Sequence, residues 1–335
     1  MKNVTFLIGA GASKNALPIV SEISDRIDNA IELFEKDDFK LSESEKYDDL
    51  DKTTSKREHQ LNFIADLKWL AVESRNHASI DTFAKKLLVK QKRIELLKLK
   101  GVLSIFFILE QFRNSIDKRY DTFFASILGN HTDSLPSLIK VINWNYDFQF
   151  EKSYSEYTND EDIDSNSYRL NVVSKFSKEI ENANRFSIFK LNGTTTLRDR
   201  AGFRTYRFYE RFNGKIDLGF IDQLIKNYIA LLTLTDRVLP NLSFAWEKEN
   251  LIVESTIKGT SSTEILVVIG YSFPFFNREI DRTIINSMNS LEKVYFQSPD
   301  ADALKERFLS IRNDIKTENL ISKYDTSQFF LPNEL

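Results

Sequence analysis

The 335-residue chain has no cysteine. That absence excludes disulfides, thiolate zinc sites and a cysteine nucleophile. Histidine is nearly absent: His59, His77 and His131 are scattered without metal-ligand spacing, and each is expected on the surface or in a loop. Strong charge of either sign is also missing. Forty-six Lys and Arg against 49 Asp and Glu leave a formal net charge of −3, which gives no reason to expect direct nucleic-acid binding. The most apolar run, Val102 to Leu109, is too short to cross a bilayer and reads as a buried helix. Met1 leads almost directly into a strand-like run rather than a charged-then-apolar leader, so the expectation is a soluble, cytoplasmic protein with no membrane partner.

What is present is globular in composition, with 41% hydrophobic and 28% charged residues. The informative stretch is Val4-Thr5-Phe6-Leu7-Ile8-Gly9-Ala10-Gly11-Ala12-Ser13. An apolar, partly β-branched run reads as a buried strand entering a Gly-Ala-Gly turn, where backbone N–H groups can converge on a pyrophosphate. Apolar spacing across Ile19 to Ile27 predicts a helix whose N-terminus faces the same anion. Lys14 stands where the dinucleotide fingerprint wants a third glycine, so the turn taken singly is a weak signal.

Residues 28–60 are polar and charge-dense, read as solvated helix and loop. Ile80, Phe83, Ala84, Leu87 and Leu88 predict an amphipathic helix with Ser79 as N-cap, and Asp81 in its first turn is explained by the helix dipole. Gly101 is read as a break, with a second helix running on through Phe112. Residues 28–135 are thus expected to be a helical insertion, and 200–255 a smaller helical segment with its helix at Ile216 to Leu239, both within one domain spanning 1–335. The acidic stretch Asn159 to Asp164 reads as a surface loop, lacking the glycine turn and terminal Glu of an EF-hand. Aromatic and basic residues from Arg198 to Arg211 read as packing with snorkelling side chains.

Further strands are expected at Leu138–Ile142, Phe186–Leu191, Ile265–Ile269 and Lys293–Gln297, followed by a helical C-terminal region. With the first, five strands each end in a small or polar cluster: Gly9 to Ser13, Asn143 to Asp147, Asn192-Gly193, Gly270 to Ser272, and Gln297-Ser298. Open parallel sheets bind ligands at such ends. The fold class expected is therefore α/β, a Rossmann-like parallel sheet carrying a large helical insertion.

In this order and at these separations the clusters resemble the sirtuin-like family across almost the entire chain. The resemblance implies that NAD is the substrate, with Gly9, Ala10, Gly11, Ala12 and Ser13 around its pyrophosphate and Leu17-Pro18 as the apolar-Pro step of the cofactor loop. It implies that Asn145 and Asp147 line the nicotinamide ribose end, and that Gly270, Tyr271 and Ser272 meet phosphate or the distal ribose. Gly193, Gln297 and Ser298 complete the expected binding set. The missing cysteines remove the family's four-cysteine zinc module, so no metal is expected. The chain then looks like the zinc-free bacterial branch, whose members hydrolyse NAD in anti-phage defence; because unregulated NAD loss would kill the host, homo-oligomerisation, a separate sensor or ATPase subunit, or both are expected. One departure is sharp: Asn192-Gly193 stands where the family has His-Gly. An amide takes up no proton near neutral pH. Three readings stay open: water held by Asn145 suffices, the pocket binds without turnover, or Asn192 is an inactivating substitution.

Overall fold

The computed structural model describes residues 1–175, 184–199, 205–206, 215–247 and 250–335. The chain forms two compact units. The first comprises Met1–Asn15, Ile116–Gly193 and Phe244–Leu335, and the second Ala16–Ser115 and Thr194–Ser243.

The first unit is built on seven parallel strands: β1 Val4–Ile8, β2 Ile139–Asn143, β3 Val172–Ser174, β4 Ser187–Lys190, β5 Ile265–Ile269, β6 Lys293–Gln297 and β7 Leu320–Lys323. Their order across the sheet is β7-β6-β5-β1-β2-β4-β3. Phe6 in β1 lies opposite Val141 in β2 and Val267 in β5, which fixes the central register. The architecture is α/β with an all-parallel, Rossmann-like sheet. Strand side chains alternate between faces. Val4, Phe6 and Ile8 enter one core with Tyr120, Phe123, Phe124, Phe150 and Tyr154 of helices Lys118–Ile127 and Gln149–Thr158. Leu7, Ile142, Leu266 and Val268 enter the other with Ile252, Ile284, Leu304 and Phe308 of helices Asn250–Thr260, Arg278–Asn286 and Ala301–Leu309. Cover on both faces explains why the inner strands read as unbroken apolar runs.

The five strands legible in the sequence are the five inner ones. The two missed, β3 and β7, are the sheet's edges. Val-Val-Ser and Leu-Ile-Ser-Lys are too short and too polar to carry a strand signal, and β7 means that the chain does not close on helix alone.

The second unit holds helices Ile23–Glu35, Lys56–Asn76, Ile80–Val89, Arg93–Arg113 and Leu218–Thr233, with small antiparallel pairings. Ser79 caps its helix as expected, accepting from the Thr82 amide. Gly101 breaks nothing. It lies inside Arg93–Arg113, where a Cβ would come within 2.8 Å of Leu231 and 3.0 Å of Tyr228, so glycine lets helix Leu218–Thr233 approach. That helix ends earlier than expected, and Val238–Pro240 is a strand paired with Leu197–Asp199. His59 is buried on Lys56–Asn76 beside the Tyr47 ring, against the expectation of a surface position. The expected insertion boundary at 135 differs from the unit boundary at Ser115, because the helix at 118–127 packs on the sheet. Most of the Arg198–Arg211 stretch, and part of 200–255, lie outside the described residues. The acidic stretch is structural: Asp162 caps helix Ile163–Arg169 by accepting from the Ser165 amide at 2.7 Å. Among the described residues, no helix is long and apolar enough to cross a membrane.

Candidate functional site

Because the sheet is all parallel, the carboxyl ends of its strands share one edge. The chain passes from β1 to β2 on one side and reaches β5 on the other, so the β1/β5 boundary is the topological switch point. The Gly-Ala-Gly turn sits there, continuing as a single 3-10 turn over Ala10–Ser13. The amides of Gly9, Gly11 and Ala12 donate to the carbonyls of Ile269, Gly270 and Gly9 at 3.1, 3.0 and 2.9 Å. The first two N–H groups therefore hold the turn onto the end of β5, and the third closes the turn on itself. A Cβ on Gly9 would fall 2.7 Å from the Gly270 carbonyl oxygen, and one on Gly270 would fall 2.3 Å from the Ala12 nitrogen. Gly270 also has φ +59°, a left-handed conformation that favours glycine. Two backbone turns cross here at a separation only glycine permits. The helix expected directly behind the turn begins at Ile23 instead, in the second unit, as do Leu17 and Pro18.

Ser13 joins the turn to the β2 loop. Its hydroxyl donates to Asp147 Oδ2 at 2.7 Å and accepts from Tyr120 at 2.8 Å and Asn145 Nδ2 at 3.2 Å. The other Asn145 Nδ2 hydrogen goes to the Gly9 carbonyl at 3.1 Å. Asn145, Asp147, Ser13 and Tyr120 are all buried. Burial raises the Asp147 carboxyl above its ordinary range, against the opposing pull of Lys190 and Ser13. Lys190 is wholly buried, and its ammonium donates to the Asp147 carbonyl at 2.8 Å and pairs with Glu151 at 2.5 Å. It thereby ties β4, just before Asn192, to the β2 loop. Outside the turn, Arg119 donates to the Gly11 and Ala12 carbonyls at 3.1 and 2.9 Å while pairing with Asp117. Burial works to raise the Asp117 carboxyl, but hydrogen bonds and charge from Arg119 outweigh it and hold it low.

Asn192 is buried, and its Nδ2 donates to the Trp144 carbonyl at 3.1 Å. Its Oδ1 is shielded from solvent and has no hydrogen-bond partner among the described residues. A buried acceptor without a donor costs on the order of 1–3 kcal/mol, so this oxygen marks a place for one. Gly193 turns the loop with φ +72°.

The remaining expected residues hold the protein together. Tyr271 is buried, its ring stacked 6.0 Å from Trp144 and its hydroxyl donating to Asp281 at 2.7 Å. Trp144 Nε1 donates to the same carboxylate at 3.2 Å, and burial pushes Asp281 up to about 7. Ser272 is exposed, with its carbonyl accepting from Arg307 at 2.8 Å. The Gln297 carboxamide binds the backbone of Asp325, Gln328 and Phe330. Ser298 accepts from the Asp300 amide at 3.2 Å. The edge therefore gathers Gly9 to Ser13, Asn145, Asp147, Asn192 and Gly270, while Gln297 and Ser298 do structural work nearby. Among the described residues no group of three or more acidic or His side chains could hold a metal ion.

Comparison with family models, curated proteins and solved structures returns no match.

Sequence reasoning missed Tyr120, Arg119, Lys190, Glu151 and Asp281. Lys190 left a trace, a lone cation ending an apolar strand. Tyr120 and Asp281 lie on amphipathic helices and left none, since nothing local shows which turn of the sheet they meet.

Proposed function

We propose that the carboxyl edge of the sheet binds NAD and that the chain is a sirtuin-like NAD glycohydrolase, cleaving NAD to nicotinamide and ADP-ribose. The observation that carries this reading is the Ser13 hydroxyl, which joins the glycine turn at the switch point to both Asn145 and Asp147. A turn at the first strand and an Asn-x-Asp loop at its neighbour are there locked into one rigid edge, as a ligand spanning both requires.

Cleavage of the nicotinamide bond has oxocarbenium character and needs a positioned water more than a strong base, by analogy with glycoside hydrolysis. Both Nδ2 hydrogens of Asn145 are engaged within the protein, and no described residue donates to its Oδ1. In our reading that oxygen accepts from the water beneath the ribose C1′, and the Asn192 Oδ1, unpartnered among the described residues, accepts a second hydrogen bond from ligand or water. Asp147, engaged by the Ser13 hydroxyl, fixes Ser13 rather than accepting the water's proton. Role in anti-phage defence, homo-oligomerisation and control by a separate sensor or ATPase subunit follow from the family resemblance and belong to the same proposal, as does the cytoplasmic location expected from the sequence.

A second reading is favoured by Asn192 itself: with an amide where the family has imidazole, the edge is a silent sensor for NAD or an ADP-ribose derivative. Protein deacylation is the weakest alternative, lacking both base and zinc module. Nicotinamide release from NAD, assayed on the protein and on Asn192→His, separates them. The hydrolase reading expects release, raised at least tenfold by the imidazole. Tight NAD binding with no release from either protein establishes the sensor.

A further inference from the structure

The opposite, amino-terminal edge of the same sheet carries a second site. A cavity of about 310 Å³ opens there, lined by Thr5, Ser137, Lys140, Lys258, Ser262 and Thr263 among others. Thr5 and Lys140 are register partners on β1 and β2, so their side chains leave the sheet on one face. Lys140 is only 7% exposed, and among the described residues no carboxylate pairs with it. Its ammonium donates to the Ser137 and Arg185 carbonyls at 2.6 and 2.5 Å. An ammonium has three donors, so one hydrogen is left unassigned. Burial alone pushes Lys140 down to about 8, so the group is still mostly charged at neutral pH. A buried cation facing a polar cavity, with no counter-ion among the described residues, is an incomplete arrangement.

The rest of the lining adds a second cation and one opposing feature. Lys258 is exposed and makes no ion pair among the described residues. The Thr263 hydroxyl donates to the Thr260 carbonyl at 2.6 Å and accepts from Thr5 at 2.6 Å. The C-terminus of helix Asn250–Thr260 also lies here, and its end charge of roughly −0.5 disfavours an anion. The two lysine charges outweigh it. The volume equals that of about ten waters, enough for a phosphate with a small organic body and too little for a dinucleotide.

We propose that this cavity is a binding site for a phosphate dianion, free or as the monoester of a small metabolite, held between Lys140 and Lys258. It is independent of the NAD reading, which concerns the other edge.

The test is calorimetric titration at constant ionic strength with inorganic phosphate and with glycerol 3-phosphate. The wild-type protein is compared with Lys258→Ala, Lys140→Met and Asn145→Ala. Saturable binding is expected, weakened at least tenfold by either lysine change and unaltered by Asn145→Ala. Tighter binding of the ester assigns a metabolite, and equal binding assigns phosphate itself. Heats no different from added sodium chloride overturn the site, as does unchanged binding in Lys258→Ala. Loss in Asn145→Ala puts the phosphate at the other edge and overturns it equally. Should Lys140→Met fail to fold by circular dichroism, the surface substitution Lys258→Ala decides alone.

Discussion

Asp281 shows how one buried carboxyl can bias the whole first unit with pH. It accepts from Trp144 and Tyr271, yet those two bonds do not compensate its loss of water, and its pKa stands at about 7 against an ordinary 3.8. The folded protein therefore holds this proton more tightly than the unfolded chain does. The group's contribution to stability is full below about pH 4, falls as pH rises toward 7, and is level above. Asp281→Asn, isosteric and never ionised, should flatten that slope. Thermal unfolding at pH 5 and pH 8 checks it: the wild-type midpoint should fall more between them than the variant's. Equal falls would show that Asp281 ionises normally. Asp147 is raised in the same direction, so the slope should shrink rather than vanish.

At the scale of elements, the crossing of two turns at the switch point makes the sharpest demand on sequence. Gly270→Ala places a methyl within 2.4 Å of two backbone atoms and forces alanine into φ +59°. The left-handed strain and the displaced turn together should cost about 2–4 kcal/mol. Gly219→Ala, on a helix where the added carbon meets nothing closer than 3.4 Å, should cost nothing or stabilise slightly. Urea unfolding midpoints of the two variants compare them directly; similar values would mean that the crossing is looser than described.

The same elements show what was legible. Inner strands announce themselves, because both faces are covered and every position is apolar. Edge strands β3 and β7 do not, being short and half-wetted. Gly101 reads as a helix break by propensity, but tertiary packing against Tyr228 and Leu231 overrides it. At the site, strand-end residues were legible because turns use distinctive residue types. Their roles were not. Glycines expected to cradle an anion are required by backbone approach, and Ser13 is spent on a network reaching 107 and 134 residues along the chain. Such pairings leave no local pattern.

At the scale of the molecule, the chain leaves the sheet unit after Asn15 and returns at Ile116, and leaves again after Gly193 to return at Phe244. Each departure follows a strand-end cluster of the site, the glycine turn in one case and Asn192-Gly193 in the other. The segments of the first unit that flank these departures are pinned to one another by Ser13, Asn145 and Lys190. The account's central claim is that the carboxyl edge of the sheet takes NAD. Titration of NAD into the intact protein and into Asn145→Ala, followed by calorimetry, tests it most directly. Saturable binding to the first, weakened at least tenfold in the second with its fold intact, is the predicted result; no heat of binding to the intact protein, or equal affinity in both, would contradict it.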